Sequence, residues 1–422
     1  MLLRFLTVLF CFCLPALAWT QTGVQGLDGQ TIDVDRLTKG NILTVQGSNK
    51  EAGFRRWIAG FRSKALRQGV SATTFDRAFG NVSYNLEVIG KDRNQSEFTK
   101  QIWEYLDSAV SETRVRNGKD ALRKNKRVLQ SIEAHYGVDK EIVAAIWGLE
   151  SAYGKFRGDT PVIEALATLA YDGRRGGFFE KQLIAALKII QSGDVRSHNM
   201  TGSWAGAMGH TQFIPTSFLA YAVDGTGDGK RDIWSDNPAD ALASTAAYLS
   251  RFGWRKDHPW GVEVRLPEGF DYSHSGSRIK KSVAEWAALG VRDVYGKKVS
   301  DYGSASILLP AGARGAIFMI FHNFQVIERY NQADAYVIAV GYLADRITGG
   351  PELQSGWPRN DRPLSFTEKK DLQKRLTAAG FDTYGLDGIV GPNTIAAIKA
   401  FQSSAGLPAD GYPSAHVLRR LR

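Results

Sequence analysis

Cysteine is almost absent from this chain, since both of its cysteines, Cys11 and Cys13, lie within the first 18 of 422 residues. Those residues, MLLRFLTVLFCFCLPALA, combine one arginine, a short apolar run and small residues, which predicts a secretory signal peptide cleaved after Ala18. The mature protein would contain no thiol, which excludes disulfides, cysteine nucleophiles and cysteine metal sites. Because Phe10 precedes Cys11 where lipid attachment requires a small residue, we expect no lipid anchor.

Long apolar runs and phosphate-binding loops are also missing. The apolar run at residues 316–321 is far too short to cross a bilayer, so we expect no stable membrane span. No Gly-Lys-Ser/Thr loop is present, and the seven histidines show no metal-ligand spacing. The net charge of +10 favours anionic partners. Because an export signal is present and no nucleic-acid motif is found, we expect no nucleic-acid partner.

The length predicts more than one folded unit, and 43% hydrophobic with 23% charged residues is typical of globular proteins. We predict a signal peptide at residues 1–18, a loose arm at 19–48, a mainly helical domain at 49–349, a linker at 350–363 and a small module at 364–422. The arm lacks periodicity, and the linker combines Gly and Pro with charge.

Most of the large domain has the periodicity of amphipathic helices. Val262–Leu266 alternates like a short strand. Helices are predicted at Thr160–Tyr171, Gly177–Gln191, Ala239–Phe252, Arg314–Tyr330 and Ala333–Ile347.

The stretch Val138–Gly154 predicts one helix that carries a carboxylic acid near its C-terminal end. Ile146, Trp147 and Glu150 fall on one face, and Gly154 suits a left-handed turn at the end. Apolar neighbours raise the pKa of a carboxyl toward the range in which it donates a proton at neutral pH. Glu150 is therefore a candidate general acid, and a solvated residue near a helix end is the alternative.

The segment SWAGAMGHTQFIPTSF, residues 203–218, has the composition of a glycan-binding groove. Ser203 and Gln212 offer neutral hydrogen bonds, while Met208 and Phe213 offer apolar surface. Sugar rings present hydroxyl groups at their edges and C–H groups on their faces, so this mixture suits them. A packed turn is the alternative interpretation.

A calcium-loop pattern begins at Asp224. Asp224, Thr226 and Asp228 occupy positions one, three and five of the pattern. Ser235 stands at position twelve, where the pattern has a bidentate Glu. A Ca²⁺ site is incomplete unless a further acid closes it, and an Asp-Gly turn without metal is the alternative. The candidates for that acid are Asp232, Asp236 and Asp240.

Two further groups are candidates for substrate contacts. Arg174 and Arg175, in DGRRGG, are able to bind a carboxylate through two parallel hydrogen bonds. Tyr330, Asn331 and Tyr336 lie close to two predicted helix ends. The alternatives are surface arginines and tyrosines at the edge of the core.

Residues 364–422 contain an internal repeat, with LDGIVGPNTIAAIKAF around Asp387 and PADGYPSAHVLRRL around Asp410. In each copy an Asp-Gly turn precedes a helix. A unit of this size with few aromatics favours a binding module over an enzyme. The second copy has Pro413 where the first has Gly391, which leaves binding by that copy open.

Four motifs in order resemble the membrane-bound lytic transglycosylase B family, bacterial enzymes that cleave peptidoglycan glycan strands. They are ES-x-YG at Glu150, SWAGAMGHTQF-x-P at Ser203, D-G-x-G-D-G at Asp224 and RYN at Arg329. The C-terminal unit, with LQ-x-x-L, DG-x-x-G-P-x-T and FQ, is similar to a three-helix peptidoglycan-binding domain. The resemblance implies a mainly α fold, with a lysozyme-like helical catalytic domain, a small β element and the three-helix module.

The resemblance also implies that Glu150 is the sole acid and base. It would protonate the oxygen between N-acetylmuramic acid and N-acetylglucosamine, then draw the muramyl C6 hydroxyl onto C1 to form a 1,6-anhydro end. No cofactor is required for this reaction. Ser203 and Gln212 would contact the sugar and orient Glu150. The other residues expected to contact substrate are Met208, Phe213, Tyr105, Arg174, Arg175, Tyr248, Tyr330, Asn331 and Tyr336.

Two rival interpretations stay open. A hydrolysing muramidase would need a second carboxylate, for which Asp159, Asp172 and Glu180 are candidates. A wall-binding scaffold with an inactive groove would rely on the module alone. In each case we expect a soluble periplasmic protein whose partner is peptidoglycan. The sequence identifies no partner protein from the machinery of wall synthesis or cell division.

Overall fold

The computed structural model describes residues 34–94 and 101–421, with side chains from residue 49 onward. The predicted signal peptide lies outside the described residues. These residues divide into two compact units, one formed by residues 101–149 and 248–421 and the other by residues 34–94 and 150–247. Seventeen helices and six short strands are present in this part of the chain, which confirms the predicted mainly α fold. None of the described helices combines the length and apolarity that a membrane crossing requires.

The unit of residues 34–94 and 150–247 is helical, with one two-stranded ribbon. Its elements are α1 (Val34–Arg67), α2 (Ala72–Phe79), α3 (Leu86–Arg93), β1 (Thr160–Pro161), α8 (Val162–Asp172), α9 (Gly176–Ser192), β2 (Thr201–Gly202) and α10 (Pro215–Tyr221). Two helices continue from one unit into the other, α7 (Lys140–Ser151) and α11 (Ala239–Arg251).

Helices α8 and α9 form the centre of this unit. The sequence VIEALATLA makes α8 buried along most of its length, because apolar residues occupy nearly all of its positions. Leu166, Phe179 and Leu183 have almost no exposed surface. Strand β1 pairs antiparallel with β2, with Thr160 opposite Gly202, so the residues before α8 lie beside the start of the glycine-rich segment.

The other unit combines helices with a sheet. Its elements are α4 (Ile102–Ala109), α5 (Glu112–Lys124), α6 (Lys126–Tyr136), β3 (Gly261–Arg265), α12 (Val283–Ala288), β4 (Arg292–Asp293), β5 (Ser306–Leu308), β6 (Ile317–Ile320), α13 (His322–Tyr330), α14 (Asp334–Ile347), α15 (Phe366–Ala378), α16 (Pro392–Ser404) and α17 (Ala415–Arg420). The four strands form an antiparallel sheet in the order β4-β3-β6-β5.

Strand β6 corrects the predicted helix Arg314–Tyr330. Only residues 322–330 are helical, and Ile317–Ile320 pairs with strands on both sides, with Met319 opposite Val262 and Ile307. All four residues of β6 are buried. A strand that is buried on both faces has no alternating pattern, so its apolar run reads like part of a buried helix.

Helix α1 differs from the predicted loose arm at residues 19–48, because it begins at Val34. The amphipathic part of this helix contains Phe54 and Phe61, which are buried. Once a helix has formed, adding residues to its end costs little free energy, since each further residue gains one backbone hydrogen bond. The segment before residue 49 lacks an apolar stripe, which explains why periodicity does not reveal it.

The C-terminal helices α15, α16 and α17 enclose their own small core, as predicted for a three-helix module. Leu372, Leu376 and Ile398 have no exposed surface and form its centre. Helix α16 begins after Gly391 and α17 begins after Ser414, so these two residues are the matching N-caps. The residue of the second copy that is structurally equivalent to Gly391 is therefore Ser414 and not Pro413. In both copies the N-cap follows the aspartate of the Asp-Gly turn by the same number of residues.

Candidate active site

Glu150 lies at the C-terminal end of α7, where the helix leaves the core. Residues 142–149 are buried, whereas Glu150 is half-buried. Directly after the helix the chain adopts three successive positive φ angles, 49° at Ala152, 60° at Tyr153 and 85° at Gly154. Gly154 therefore takes the left-handed conformation expected for it. Non-glycine residues in this region are strained, and such strain concentrates at functional sites.

Ser151 fixes the end of α7 to the glycine-rich segment. Its hydroxyl donates to the backbone oxygen of His210 over 2.5 Å and accepts the N–H of Gly154 over 2.9 Å. Ser151 is buried, so these bonds are shielded from water. The residue next to Glu150 is thus held against the segment that also carries Ser203 and Gln212.

A buried histidine supports the same turn. His210 Nε2 lies 2.8 Å from the backbone oxygen of Ser235 and 3.2 Å from a guanidinium nitrogen of Arg157. Arg157 donates to the same oxygen over 2.7 Å and to Asp236 over 2.8 Å. Burial, with the nearby Arg157 charge, lowers the pKa of His210. The lowered pKa favours the neutral ring, which links the Ser235 and Arg157 groups of this turn.

Ser203 organises the start of the segment. Its hydroxyl oxygen accepts the backbone N–H groups of Ala205, at 3.3 Å, and Ala207, at 3.0 Å. An oxygen that accepts two hydrogen bonds still has its own proton to donate. Ser203 can therefore hold the turn and offer one hydrogen bond to a ligand.

Gln212 is held in a defined orientation. Its φ angle is 54°, in the left-handed region. Its side-chain amide donates to the backbone oxygens of Arg157, at 3.0 Å, and Gly209, at 2.8 Å. Both amide hydrogens are thereby used, which leaves the side-chain oxygen as the group that can receive a hydrogen bond from a ligand.

Two glycines allow the close backbone packing expected of this segment. Gly206 has a φ angle of 82°, and a Cβ atom there would lie 2.5 Å from Leu166 Cδ2. Gly209 has a φ angle of 69°, and a Cβ atom there would lie 2.2 Å from the backbone oxygen of Ile233. Any larger residue would displace the segment.

Met208 and Phe213 differ from the predicted open apolar surface. Their backbones pair with each other through two hydrogen bonds of 2.9 and 3.1 Å, and both side chains are buried. They therefore support the segment from within the unit. Apolar side chains in a segment with so many glycines are needed for packing, which the composition alone does not reveal.

Arg174 and Arg175 both bind Asp92, whose side chain is 2% exposed. Arg174 donates to both carboxylate oxygens over 2.8 Å, and Arg175 donates to one of them over 2.8 Å. The hydrogen bond to Asp92 raises the pKa of Arg174. A buried carboxylate of the chain itself thus anchors both arginines, and their expected contact with an acidic group of the substrate stays a prediction.

The remaining predicted contact residues belong to the unit of residues 101–149 and 248–421. Tyr248 donates its hydroxyl to the backbone oxygen of Arg329 over 2.5 Å, and its ring meets that of Tyr330 edge to face, with centroids 5.2 Å apart. Asn331 accepts the N–H of Ala333 over 3.1 Å. The structure thus brings together Tyr248, Tyr330 and Asn331. Tyr105 and Tyr336 are buried in helices α4 and α14.

The calcium-loop pattern gathers three carboxylates. Oxygens of Asp224, Asp228 and Asp240 all lie within 4.8 Å of one another. Asp240 comes from the start of α11, outside the loop, and its two oxygens accept the N–H groups of Gly225, Thr226 and Asp232. Burial raises the pKa of Asp240, and the Asp224 charge contributes to the rise.

These groups fit a hard divalent cation such as Ca²⁺, because all the ligand atoms are oxygens. In the absence of a bound cation, the negative charges of the three carboxylates repel one another. The Thr226 hydroxyl donates to Asp224 over 3.2 Å. Asp236, one of the other two acids considered for closing the site, pairs with Arg157. Asp232 instead accepts the N–H groups of Trp234 and Ser235.

Two of the three acids that could serve a muramidase are already paired. Asp172 accepts hydrogen bonds from Tyr84, at 3.2 Å, and Arg93, at 2.9 Å. Glu180 forms an ion pair with Lys64. Asp159 is exposed. These contacts hold Asp172 and Glu180 in structural roles.

Comparisons with known proteins identify both parts of the chain. Residues 53–345 match the model of the transglycosylase SLT domain, and residues 367–421 match that of a putative peptidoglycan-binding domain. The chain belongs to the transglycosylase SLT domain family. It is 32% identical over 250 residues to membrane-bound lytic murein transglycosylase B of Escherichia coli K12, covering 58% of this chain and 66% of the relative. It therefore spans slightly less than two thirds of that relative's length.

Solved structures agree with this assignment. SltB3 from Pseudomonas aeruginosa, solved in complex with NAG-anhNAM-pentapeptide and with NAG-NAM-pentapeptide, has a TM-score of 0.84 and 51% identity, covering 87% of this chain and 99% of its own. Escherichia coli lytic transglycosylase Slt35, solved in complex with calcium, has a TM-score of 0.60 and 28% identity, covering 69% and 92%. The resemblance to the lytic transglycosylase B family and the enzyme class, a peptidoglycan lytic transglycosylase, are confirmed.

The sequence patterns give no role to His210, Arg157 or Ser151. A buried histidine that bonds a backbone carbonyl leaves no spacing signal. Two of these residues lie inside motifs of the sequence, His210 in GHTQF and Ser151 in ES-x-YG.

Proposed function

We propose that this protein cleaves the bond between N-acetylmuramic acid and N-acetylglucosamine without water and leaves 1,6-anhydro ends. The observation that carries the proposal is the attachment of the Glu150 helix end, through Ser151, to the segment that presents Ser203 and Gln212. One carboxyl at the end of a buried helix, which is bonded to a segment that carries neutral hydrogen-bonding groups, suits a reaction with a single acid and base.

The reaction proceeds in two proton transfers. Glu150 donates its proton to the glycosidic oxygen, the bond from that oxygen to the muramyl C1 breaks, and N-acetylglucosamine leaves with a hydroxyl group. The acetamido carbonyl of the muramyl residue supports the positive charge at C1. The Glu150 carboxylate then takes the proton of the C6 hydroxyl while the C6 oxygen bonds to C1, so no water is consumed and the acid is regenerated.

Ser203 and Gln212 would fix the sugar through complementary hydrogen bonds. Ser203 retains one O–H to donate, because its oxygen already accepts two backbone N–H groups. Gln212 offers its side-chain oxygen, because its amide hydrogens are bonded to two carbonyls. We therefore assign to Gln212 the role of accepting an N–H or O–H of the substrate.

The loop at Asp224 is proposed to hold Ca²⁺ through Asp224, Asp228 and Asp240. The relative Slt35 was solved in complex with calcium, which supports this assignment. The ion would neutralise three neighbouring carboxylates and fasten the loop to α11. It would stabilise the fold and take no part in the proton transfers.

The substrate is proposed to be peptidoglycan in the periplasm. SltB3, which is 51% identical to this chain, was solved with two disaccharide pentapeptides, and the C-terminal module matches a putative peptidoglycan-binding domain. The export signal predicted at residues 1–18 supports this proposal, because such a signal would direct the chain to the compartment that contains this polymer.

The reaction can be tested by digesting purified sacculi in water labelled with heavy oxygen. We expect muropeptides that carry no label, resist borohydride reduction and are lighter by one water than hydrolysis products. Reducible products with label at C1 would establish a muramidase. Binding without soluble products would establish a scaffold.

A further inference from the structure

The two Asp-Gly turns of the C-terminal module have the same internal geometry. In the first, Asp387 accepts a hydrogen bond from the Gln373 side chain over 2.9 Å, and the Gln373 oxygen accepts the N–H of Gly388 over 2.8 Å. In the second, Asp410 accepts one from Gln402 over 2.7 Å, with a matching bond of 2.8 Å from the N–H of the following glycine. Differences in their roles must therefore come from what each turn faces.

The second turn contacts the rest of its unit. The other carboxylate oxygen of Asp410 accepts the N–H of Ala313 over 2.8 Å. Gly312, with a φ angle of 67°, passes so close that a Cβ atom there would lie 2.5 Å from that oxygen and 2.7 Å from Tyr412 Cβ. The corresponding oxygen of Asp387 accepts no hydrogen bond from the residues that the structure describes.

Lys399 and Tyr412 extend this contact. Lys399, on α16, donates to the backbone oxygen of Tyr272 over 2.9 Å and to the Ser275 hydroxyl over 3.3 Å. The Tyr412 hydroxyl donates to the Gln101 side chain over 3.0 Å. Lys399 is partly buried, and removing a charged group from water costs free energy unless it forms hydrogen bonds. The bonds to Tyr272 and Ser275 supply this compensation.

The linker is also held along its length. The backbone N–H groups of Gln354 and Ser355 donate to Glu263 over 2.8 and 2.7 Å. Arg359 forms a bidentate pair with Asp107 at 2.7 and 2.9 Å. A linker with such contacts does not act as a free tether, so the module has a fixed position within this unit.

The first turn presents apolar side chains to solvent. Tyr384 is 79% exposed, Leu386 51% and Ile389 65%. Ile389 occupies the position that Tyr412 holds in the second turn, directly after the Asp-Gly pair. An apolar group of this kind beside a polar turn suits the C–H faces of sugars and the side chains of short peptides.

We infer that the two Asp-Gly turns of the repeat have separate roles. The second turn, with Lys399, docks the module onto the turns at residues 272–275 and 312–313, and the first turn alone contacts the polymer. The identity of that polymer rests on the proposed function, whereas the docking does not. The docked module would hold a glycan strand at a fixed position relative to the sheet of its unit.

Docking can be measured with two spin labels in the mature chain, which lacks residues 1–18 and therefore both cysteines. Lys298→Cys and Ser403→Cys place the labels at exposed positions on the sheet side and on the module. We expect a single narrow distance distribution. A broad distribution in this reference protein would overturn the docking.

Two matched pairs of variants test the contact itself. Gly312→Ala introduces the clash with Asp410, whereas Gly269→Ala, at a φ angle of 71° with no atom within 4 Å, imposes similar backbone strain without a clash. Lys399→Met removes the docking lysine, and Lys374→Met removes an exposed one on the same module. Only the first member of each pair should broaden the distance distribution. Equal behaviour of both members would overturn the inference.

Polymer contact is measured by sedimentation with purified sacculi in a Glu150→Gln background, which prevents digestion. Ile389→Asp should weaken binding about tenfold or more and leave the narrow distance distribution unchanged. Gly312→Ala should broaden the distribution and keep the binding. Loss of binding in Gly312→Ala with retention in Ile389→Asp would overturn the division of roles. If the parent protein does not bind sacculi, both the polymer contact of the first turn and the proposed substrate are contradicted. The docking of the module is still tested in that case, because the spin-label distances do not depend on sacculus binding.

Discussion

Replacement of Asp92 by Ala should destabilise the unit that contains Glu150 without touching the reacting groups. Asp92 is 2% exposed and accepts three hydrogen bonds of 2.8 Å from Arg174 and Arg175. Removing one partner of a buried ion pair typically costs 3–5 kcal/mol. Because the Arg174 side chain is largely exposed and can be rehydrated, we expect about 3 kcal/mol, near the lower end of that range.

For a unit of this size, such a loss lowers the melting temperature by roughly 6–12 °C, measured by circular dichroism. The control is Asp76→Ala, which removes a bidentate pair with Arg62 of 2.8 and 2.9 Å on the surface of the same unit. Exposed pairs of this kind contribute little, so no clear shift is expected. Equal shifts for the two variants, or normal stability of Asp92→Ala with a selective loss of substrate affinity, would refute the structural role assigned to these arginines.

Three further predictions concern the same unit. Because burial lowers the pKa of His210, the native state binds fewer protons than the unfolded chain below pH 6.5, so stability should fall as the pH falls below that value. Urea unfolding at several pH values should show this dependence reduced in His210→Gln, and an unchanged dependence would contradict it. Added Ca²⁺ should raise the melting temperature of the parent protein and have no such effect on Asp240→Asn; equal shifts would exclude the site. Gly209→Ala should lose activity and cost more than about 1 kcal/mol, because its Cβ meets the Ile233 backbone, whereas Gly193→Ala, also at positive φ but in open space, should keep activity.

Much of the site can be predicted from the sequence, because the patterns that indicate it involve residues close together in the chain. Helical spacing placed Ile146, Trp147 and Glu150 on one helix, and glycines at 206 and 209 indicated close backbone approach. Both features depend on neighbours within a few residues. The structure agrees with both, since α7 covers Lys140–Ser151 and both glycines adopt positive φ angles.

The remaining features depend on contacts between distant parts of the chain. Asp92 meets Arg174 and Arg175 about 80 positions later, and no local pattern in the sequence reports that a carboxylate will be buried beside them. Strand β6 is defined by its neighbours β3 and β5, so its apolar run could be assigned to a helix. The docking role of Asp410 likewise depends on Ala313, which the repeat itself does not encode.

Glu150 is proposed to perform both proton transfers. The most direct test of this proposal is mass spectrometry of the muropeptides released from sacculi by the mature protein, by Glu150→Gln and by Glu141→Gln, a control acid in the first turn of the same helix. We expect anhydro products from the parent and from Glu141→Gln, and none from a folded Glu150→Gln. Anhydro products from Glu150→Gln at the parental rate would contradict it.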